Sequence, residues 1–356
     1  MAAVVAGDAA AVAGCLSRGA DPNAADGEGY TLLCEAALAG ALDVVRLLLQ
    51  HGARPADAGP EGTPLMLAID KKHAAVADCL LDWRMETGGD VGIHVRNTAG
   101  GTALHLSMYG PGFSVVRRLL EAGADPNTRG LGNWSPLTSA ATSRDELGFE
   151  LQAAEALIDH GAALEPKSEP DGCTALLHAC FRGNYEIAAL LVRRGADVNS
   201  TSIHGYGTMS NVHLYPIELV RLLLDAGADP SRELADWTPL MAAASGGRAD
   251  VVAELLRRGA DVNGRSLSRR TALEAAAIRK HGDIIRLLLD AGADTGLGTI
   301  SATDWNLVAT AVLQWQRETQ AALERERAAH AASEESFKFA LPHLLAAAAG
   351  AGAARC

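Results

Sequence analysis

One short pattern recurs through most of this chain at a nearly constant spacing, and this repetition restricts the possible folds more than any other feature. The pattern is Gly-Ala, followed in most copies by Asp, and eight copies of it keep this register. Its glycines are Gly19, Gly52, Gly123, Gly161, Gly195, Gly227, Gly259 and Gly292. All intervals but one measure 32 to 38 residues, and the interval of 71 residues has room for one further unit that lacks the motif. A period of about 20 to 50 residues indicates stacked repeats, in which each unit buries its apolar face against its neighbours.

The residues before each glycine predict an amphipathic helix. In segments such as 43–53 and 282–293, apolar residues fall at positions i, i+1, i+4 and i+5, which form one stripe along a helix. The glycine then occupies the position where a left-handed residue ends a helix. Because repeats of this kind cover their leucines only by packing against each other, we expect these side chains to be buried. The leucines that mark this expectation are Leu47, Leu190, Leu222 and Leu255.

A second signature lies about 21 residues before most of these glycines. It consists of Thr or Ser, then Pro or Ala, then Leu, and it predicts the start of a shorter helix. The hydroxyl oxygen can cap the helix, and proline is tolerated at the first helical position. The copies begin at Thr63, Thr102, Ser135, Thr174, Thr238 and Thr271. Each unit is therefore predicted to contain a capped, Ala-rich first helix, a turn, a Leu-rich second helix and a polar loop.

Taken together, the two signatures resemble the ankyrin repeat. The end of its consensus is matched by GADPN at 123–127 and by GADVN at 195–199 and 259–263. The beginning of its consensus is matched by GTALHLS at 101–107 and by WTPLMAAASGG at 237–247. The resemblance extends over about nine units of the sequence. It implies an all-α fold, an ankyrin-repeat α-solenoid of stacked helix-turn-helix units with β-hairpin-like loops. The pattern of the residues that follow predicts an additional C-terminal helical segment.

The motifs divide the chain into nine repeats and a C-terminal segment. The predicted repeats are 1–27, 28–60, 61–97, 98–131, 132–168, 169–203, 204–234, 235–267 and 268–297. Together they form an array over residues 1–297, and residues 298–356 form a capping or partner helix with an Ala-rich tail.

Three repeats depart from the pattern. The third has lost its Gly-Ala and is expected to enter a long loop at about 84–97, and the fifth carries about five extra residues near 143–150. The seventh, around 204–230, lacks Thr-Pro-Leu, so its first helix is expected to be short or irregular. Pro216 is expected near the start of the second helix of that repeat. Because each repeat touches only its neighbours, the seventh is the predicted weak point of the stack.

The two ends of the chain differ in how they fit the repeat register. Residues 7–23 align with the second half of a repeat, so residues 1–6 are predicted to be a shortened first helix and not part of a signal peptide. After about Ile300 the period stops, and 301–331 is predicted to form one helix. Its stripe consists of Trp305, Val308, Val312, Trp315, Thr319 and Leu323. This helix either caps the last repeat or is a free amphipathic helix for a partner or for self-association.

Composition narrows the class of partner. The net charge is −12, and no basic cluster is denser than Arg265, Arg269 and Arg270, which argues against nucleic acid. No apolar run approaches the roughly 18 residues that cross a bilayer. The six cysteines form no Cys-x-x-Cys pair, which indicates reduced thiols and a cytoplasmic protein, with the nucleus left open. We therefore expect a protein partner, no nucleic acid, no membrane insertion and a monomeric chain.

The sequence predicts no catalytic, cofactor-binding or metal-binding residue. Motifs of the common hydrolases, zinc proteases, P-loop proteins and dinucleotide-binding enzymes are absent from it. Cys173, His178 and Cys180 lie close together in the sequence, but no fourth metal ligand accompanies them, and ordinary packing is favoured. The resemblance implies that His105 stabilises adjacent loops by hydrogen bonding. It also implies that loop asparagines can be hydroxylated, namely Asn127, Asn199 and Asn263.

Partners of ankyrin arrays bind the concave face, which consists of the loop tips and the exposed side of the first helices. Two kinds of position are expected there: the residue just before the capping Thr or Ser, which is Cys173 in one repeat, and residues late in the first helix. Aromatic residues and Arg, which are typical of binding hot spots, occupy many of them. The predicted partner-binding residues are Tyr30, Tyr109, Trp134, Phe181, Arg182, Trp237, Arg270 and Arg279. Packing by neighbouring loops is the alternative for each.

These observations predict a non-catalytic scaffold for protein–protein interaction. The alternative is a substrate adaptor, for example of a ubiquitin ligase, whose C-terminal helix recruits a second partner. An enzyme is the reading that the sequence favours least.

Overall fold

The computed structural model describes residues 1–143, 148–295, 309–310, 312–318, 320–321 and 323–328. It divides into two compact units, 1–235 and 236–356, which are treated separately below. In its described part the chain contains helices and isolated β-bridges but no β-strand, which confirms the all-α class. The bridges lie in the loops between repeats, for example between Ala25 and Thr31.

Helix-turn-helix pairs make up the first unit, 1–235. Its helices are α1 (Ala2–Val5), α2 (Ala9–Leu16), α3 (Leu32–Ala39), α4 (Leu42–Gln50), α5 (Pro64–Asp70), α6 (Ala74–Thr87), α7 (Ala103–Ser107), α8 (Phe113–Glu121), α9 (Pro136–Thr142), α10 (Glu150–Asp159), α11 (Ala175–Arg182), α12 (Tyr185–Arg193) and α13 (Ile217–Asp225). The first helices of neighbouring repeats contact each other, as do α3 with α5 and α9 with α11, and the second helices do the same. The unit therefore has two helical layers.

The second unit repeats this arrangement. Its helices are α14 (Pro239–Ser245), α15 (Ala249–Arg257), α16 (Ala272–Ile278) and α17 (Gly282–Asp290). First helices α14 and α16 pack together, as do second helices α15 and α17. The described residues between 309 and 328 are also helical.

Part of the C-terminal stripe contacts the last repeat. The indole Nε1 of Trp315 donates a hydrogen bond to Asp290 Oδ1 at 2.9 Å, and Arg286 forms an ion pair with Glu318. Val312 and Trp315 are half-buried. Leu313 and Leu323 remain exposed. Trp305, Val308 and Thr319, which belong to the predicted stripe, lie outside the described residues.

The predicted hydroxyl caps begin the first helices. Thr63 Oγ1, for example, accepts a hydrogen bond from the amide of Met66 at 3.3 Å. The same bond is made by Thr31, Ser135, Thr174, Thr238 and Thr271. Thr102 caps its helix through a box in which the amide of Thr102 donates to the His105 ring. These local bonds fix where each first helix starts.

One leucine of the second helix lies at the centre of almost every repeat. It stands four residues before the terminating glycine and is 0% exposed in each case. The residues concerned are Leu48, Leu119, Leu157, Leu191 and Leu223 in the first unit and Leu255 and Leu288 in the second. Neighbouring second helices contact each other within each unit, as do α8 with α10 and α15 with α17.

Of the four leucines that we expected to be buried, two are buried and two are buried only in part. Leu190 and Leu255 are buried, but Leu47 and Leu222 are only half-buried. Leu47, Leu190 and Leu222 all lie five residues before the glycine, so their side chains point about 100° away from the fully buried position around the helix, and even Leu190 keeps 7% exposure. The apolar stripe is therefore wider than the fully buried face.

The third and seventh repeats show how a lost motif changes the backbone. The predicted loop at 84–97 is wrong for its first residues, because α6 continues to Thr87 and ends at Gly88, a left-handed residue with φ 70°. With no glycine at the expected stop, the helix runs on to the next one. In the seventh repeat a 3-10 turn, Val212–Leu214, replaces the first helix, and α13 starts directly after Pro216, as predicted.

The N-terminal residues also follow the prediction. A short α1 and a longer α2 match the shortened first helix and the second helix of a repeat. The insertion in the fifth repeat falls partly on residues 144–147, which lie outside the described residues.

Loop asparagines connect successive repeats. The Nδ2 of Asn127 donates to the carbonyl oxygen of Gly161 at 2.9 Å, and its Oδ1 accepts from the amide of Ala163 at 2.8 Å. Asn23, Asn199 and Asn263 make the equivalent pair of bonds to the next loop. Glu165 takes this place in one repeat and accepts from the amide of Asp197 at 2.8 Å. The Asn of the GADxN motif thus hydrogen-bonds one repeat to the next.

Histidine side chains make a second kind of hydrogen bond between adjacent repeats, from the start of a second helix to the end of a first helix. His73, just before α6, has its Nε2 3.1 Å from the carbonyl oxygen of Leu38 at the end of α3. The ring lies so close to Gly40 that a Cβ there would be 2.7 Å from it. In the second unit, His281 has the same relation to Ser245 and Gly247.

We predict that Gly40→Ala destabilises the chain more than Gly52→Ala does. Both glycines have positive φ, 69° and 87°, so each substitution carries a left-handed penalty of about 1–2 kcal/mol. Only at Gly40 would the new methyl group meet the His73 ring, because nothing lies within 4 Å of the Gly52 position. Overpacking adds about 1–3 kcal/mol at Gly40, measurable by urea unfolding.

A His73→Ala background is the control for this comparison. It removes the ring and should bring the costs of the two glycine substitutions close together. Equal costs in the wild-type background would contradict the packing that we describe.

Candidate partner-binding surface

The residues predicted to bind a partner differ in how far they are exposed. Arg182, Arg270 and Arg279 are exposed, and Tyr109 is 49% exposed. The other aromatic residues are half-buried, namely Tyr30, Trp134, Phe181 and Trp237. Each half-buried ring presents one part to a neighbouring repeat and the rest to solvent.

Tyr30 lies against the loop of the next repeat. A Cβ built on Gly59 would be 2.8 Å from Cδ1 of Tyr30, so the ring packs directly over that glycine. The Tyr30 amide donates to Asp26 Oδ1 at 2.9 Å, which fixes the loop tip. The tyrosine is therefore held by its surroundings while part of its ring stays accessible.

Trp134 is held from two sides. Its ring centroid lies 5.0 Å from that of His178, and its carbonyl oxygen is 3.1 Å from Nε2 of His105. The bond from His105 joins adjacent loops, as the family resemblance implies. Packing thus accounts for a large part of the position of Trp134, and the remainder of its surface is open to a partner.

Residues around His178 form a buried polar cluster. The Oγ of Ser168 lies 2.7 Å from His178 Nε2 and donates to Asp171 Oδ1 at 2.9 Å. Asp171, Cys173 and His178 together bring three side chains of the metal-ligand type within 4.8 Å of one another. The serine hydroxyl stands between two of them and links them by hydrogen bonds, so the cluster has a role in holding the loop to α11.

Cys173 is not at the surface, in contrast to the expectation for the residue before a cap. It is 2% exposed because the loop from Ser168 folds over it and its carbonyl oxygen bonds back to the amide of Ser168 at 2.9 Å. Burial raises the pKa of the Cys173 thiol to about 12, and Asp171 adds to the increase. A thiol of this kind stays protonated and is a poor nucleophile.

Phe181 has an aromatic partner that the motif reasoning did not include. Its ring packs edge-on against Tyr206, with centroids 6.4 Å apart. Tyr206 is 47% exposed and lies in the irregular seventh repeat. The sequence Gly-Tyr-Gly-Thr at 205–208 resembles Gly-Tyr-Thr at 29–31, which was the available signal. Phe181, Arg182 and Tyr206 thus lie along one exposed edge of the first unit.

The second unit brings three of the predicted residues together. Trp237, Arg270 and Arg279 line one groove of about 140 Å³ between α14 and α16. The other lining residues are Met241, Ser245, Ser266, Ala275 and Ile278. Met241 and Ala275 are buried and form the floor, while Ile278 is 38% exposed at the rim. This groove has an apolar base and a cationic edge.

Comparison with known families agrees with this architecture. The family described as "Ankyrin repeats (3 copies)" matches residues 1–93, 104–202 and 210–298. The chain therefore belongs to the ankyrin-repeat family. Repeats of this family generally mediate protein–protein interactions and are generally non-catalytic.

Several characterised proteins are similar to the chain. A B-cell lymphoma 3 protein homolog of Mus musculus is 34% identical over 164 residues, which cover 46% of this chain and 35% of that protein. A protein fem-1 homolog A-like of Mus musculus is 29% identical over 238 residues, covering 64% and 36%. The E3 ubiquitin-protein ligase KEG of Arabidopsis thaliana is 26% identical over 247 residues, covering 67% and 13%. The chain thus spans about a third of the length of the first two relatives.

Within the described residues, no helix has both the length and the apolar character required to cross a bilayer.

We predict that the His178 cluster makes stability depend on pH. Burial lowers the pKa of His178 and the Arg182 charge lowers it further, although Asp171 acts in the opposite direction. The folded pKa is thus below the usual 6.5, so the unfolded chain binds more protons in acid. The stability that neutral His178 provides is present above pH 6.5 and is lost as the pH falls through its folded pKa.

His178→Gln should therefore flatten the dependence of the unfolding free energy on pH below about 6.5. His51→Gln, at an exposed histidine of α4's end, is the matched control and should leave that dependence unchanged. Chemical unfolding at a series of pH values measures both. An unchanged slope in His178→Gln would contradict the role of burial.

Proposed function

We propose that this chain is a protein-binding scaffold that holds its partner along the loop tips and the first helices. The observation that carries this proposal is the repeated placement of aromatic and Arg side chains at the same two register positions. Tyr30 and Trp134 are held in place by neighbouring loops yet keep part of their surface accessible. Rigid aromatic residues and Arg contribute most of the energy at many protein interfaces.

We also propose that the chain has no catalytic activity. The buried cysteines are unsuited to nucleophilic chemistry, because burial also raises the pKa of Cys180 to about 12. His105 and His178, whose pKa values are lowered by burial, are hydrogen-bonded to Trp134 and Ser168 respectively. Family membership supports the same conclusion at a coarser level.

We also propose a reducing compartment, the cytoplasm or the nucleus, and a monomeric chain that binds no nucleic acid. The cysteines of the described part are free thiols, which supports the compartment. The net charge of −12 supports a protein partner over nucleic acid.

A second candidate function is that of a substrate adaptor. In the described residues that follow the repeats, Leu313 is 54% exposed and Leu323 is 42% exposed, while Trp315 and Glu318 contact α17. Exposed leucines on a segment that is held to the last repeat could take part in recruiting a second protein. One relative, KEG, is named as a ubiquitin ligase, which is compatible with such a role.

The scaffold proposal predicts that Trp134→Ala combined with Trp237→Ala abolishes partner capture. Loss of two interface anchors costs about 2 kcal/mol or more each at hot spots, which lowers binding by orders of magnitude. Affinity purification followed by mass spectrometry compares the captured proteins, and circular dichroism confirms unchanged helicity. Trp83→Ala is the control, because Trp83 lies on second helix α6 and not on the proposed surface. Undiminished capture by the double variant would rule out this surface as the site.

Deletion of residues 298–356 separates the two candidate functions. A scaffold should retain its full set of captured proteins, whereas an adaptor should lose one protein and keep the rest. If the deletion unfolds the repeats, as circular dichroism would show, the segment is a cap, and the double substitution Leu313→Ser and Leu323→Ser then tests recruitment without removing the contacts of Trp315.

A further inference from the structure

The third and ninth repeats differ in charge at equivalent positions. In the third repeat the two residues before the cap Thr63 are Glu61 and Gly62, and in the ninth repeat they are Arg269 and Arg270 before Thr271. Because the two repeats align residue for residue through this region, the difference belongs to the side chains and not to the register. The loop tip is therefore acidic in the third repeat and basic in the ninth.

The ends of the corresponding first helices show the same change. Asp70 and Lys71 follow in the third repeat, and the lysine Nζ lies 3.0 Å from the Asp70 carboxylate. Ile278 stands in place of that acid in the ninth repeat, followed by Arg279. Arg279 is exposed and forms no ion pair in the described part of the chain. The cation at this position is thus paired with a neighbouring acid in the third repeat, whereas in the ninth repeat it is unpaired and follows an apolar side chain.

Arg270 forms no ion pair in the part of the chain that the structure describes. The charge of Glu274 interacts with that of Arg270, but its carboxylate is 6% exposed and accepts a hydrogen bond from the amide of Thr271 at 3.4 Å as part of a cap. Asp236 accepts from the amide of Ser268 at 2.9 Å, also within the loop. Both carboxylates are used to hold the backbone. The groove lining itself contains two Arg and no acidic residue.

The volume of the groove fits one apolar side chain. Its 140 Å³ is close to the size of cavities that accept a benzene ring, about 150 Å³. The walls are the indole of Trp237 and the side chain of Ile278, and the floor is Met241. Leu267, which follows the lining residue Ser266 in the loop, is 79% exposed.

We propose that this groove binds an acidic linear peptide segment with a central aromatic or large aliphatic residue. The anchor side chain enters between Trp237 and Ile278, and flanking carboxylates pair with Arg270 and Arg279. The inference rests on the proposed function and names the chemistry of the partner at this site. The peptide is expected to be acidic because the groove is basic and opposite charges attract. The groove differs in this respect from the chain as a whole, which carries a net charge of −12.

The test uses the full chain and a fluorescein-labelled peptide of about nine residues, the length of one extended segment, with a central Phe flanked by Glu. Fluorescence anisotropy at low ionic strength should detect binding, and added salt should weaken it because the arginines are exposed. Replacing both cations, Arg270→Gln with Arg279→Gln, should weaken binding about tenfold or more. The control with the same change in charge is Lys71→Gln with Lys72→Gln, which should bind as the wild type does.

A double-mutant cycle tests the anchor. Exchange of the peptide's Phe for Ala should weaken binding to the wild-type chain and should have little further effect on the Trp237→Ala variant. Circular dichroism verifies that each variant keeps its helicity. A peptide in which Lys replaces the flanking Glu should not bind.

Several results would overturn the proposal. These are an absence of peptide binding, equal losses in the Arg and Lys double variants, and an additive cycle. Tighter binding of a duplex DNA probe that depends on the same arginines would assign the groove to nucleic acid. Self-association abolished by Arg270→Gln with Arg279→Gln would assign it to a second copy. If peptide binding fails while Trp134→Ala with Trp237→Ala still abolishes capture, the scaffold function stands and only this inference falls.

Discussion

The structure depends on one apolar contact that recurs in the second helices of the repeats. The leucine four residues before each terminating glycine is excluded from water, although the helix that carries it has only about nine residues. Isolated helices of this length are marginal in water, so the contact with the neighbouring repeat supplies their stability. Because every repeat needs a neighbour, the energy of the stack is a sum of local interfaces.

Hydrogen bonds between repeats fix the register of this apolar stacking. The asparagine of one loop bonds to the backbone of the next, and His73 or His281 bonds to the end of the preceding first helix. These bonds use the Asn and His side chains and the backbone, and the side chains of Trp237 and Arg270 take no part in them. The two side chains therefore stay available for the binding role that we propose.

Much of the fold could be predicted from the sequence because its determinants are local. Caps such as Thr63, the stop at each glycine and the start of α13 after Pro216 are all encoded within a few residues. The prediction failed where a local signal was missing. α6 runs on to Gly88 because no glycine stops it earlier, and Leu47 is less buried than Leu48 because the stripe is wider than the contact.

The candidate site could be predicted only in part. Register identified Trp237, Arg270 and Arg279, but their convergence on one groove depends on how α14 and α16 pack. Tyr206 escaped notice because its repeat has lost the motif that sets the register. Cys173 occupies the expected position yet is buried, since a loop that closes on His178 covers it.

Two adjacent leucines of α13 give the most direct test of the central contact. Leu223 is 0% exposed and Leu222 is half-buried, so the same truncation can be made on both sides of the proposed boundary. Urea unfolding should show that Leu223→Ala costs about 2–5 kcal/mol and Leu222→Ala clearly less. Equal costs, or a larger cost for Leu222→Ala, would contradict the claim that the position four residues before the glycine holds the repeats together.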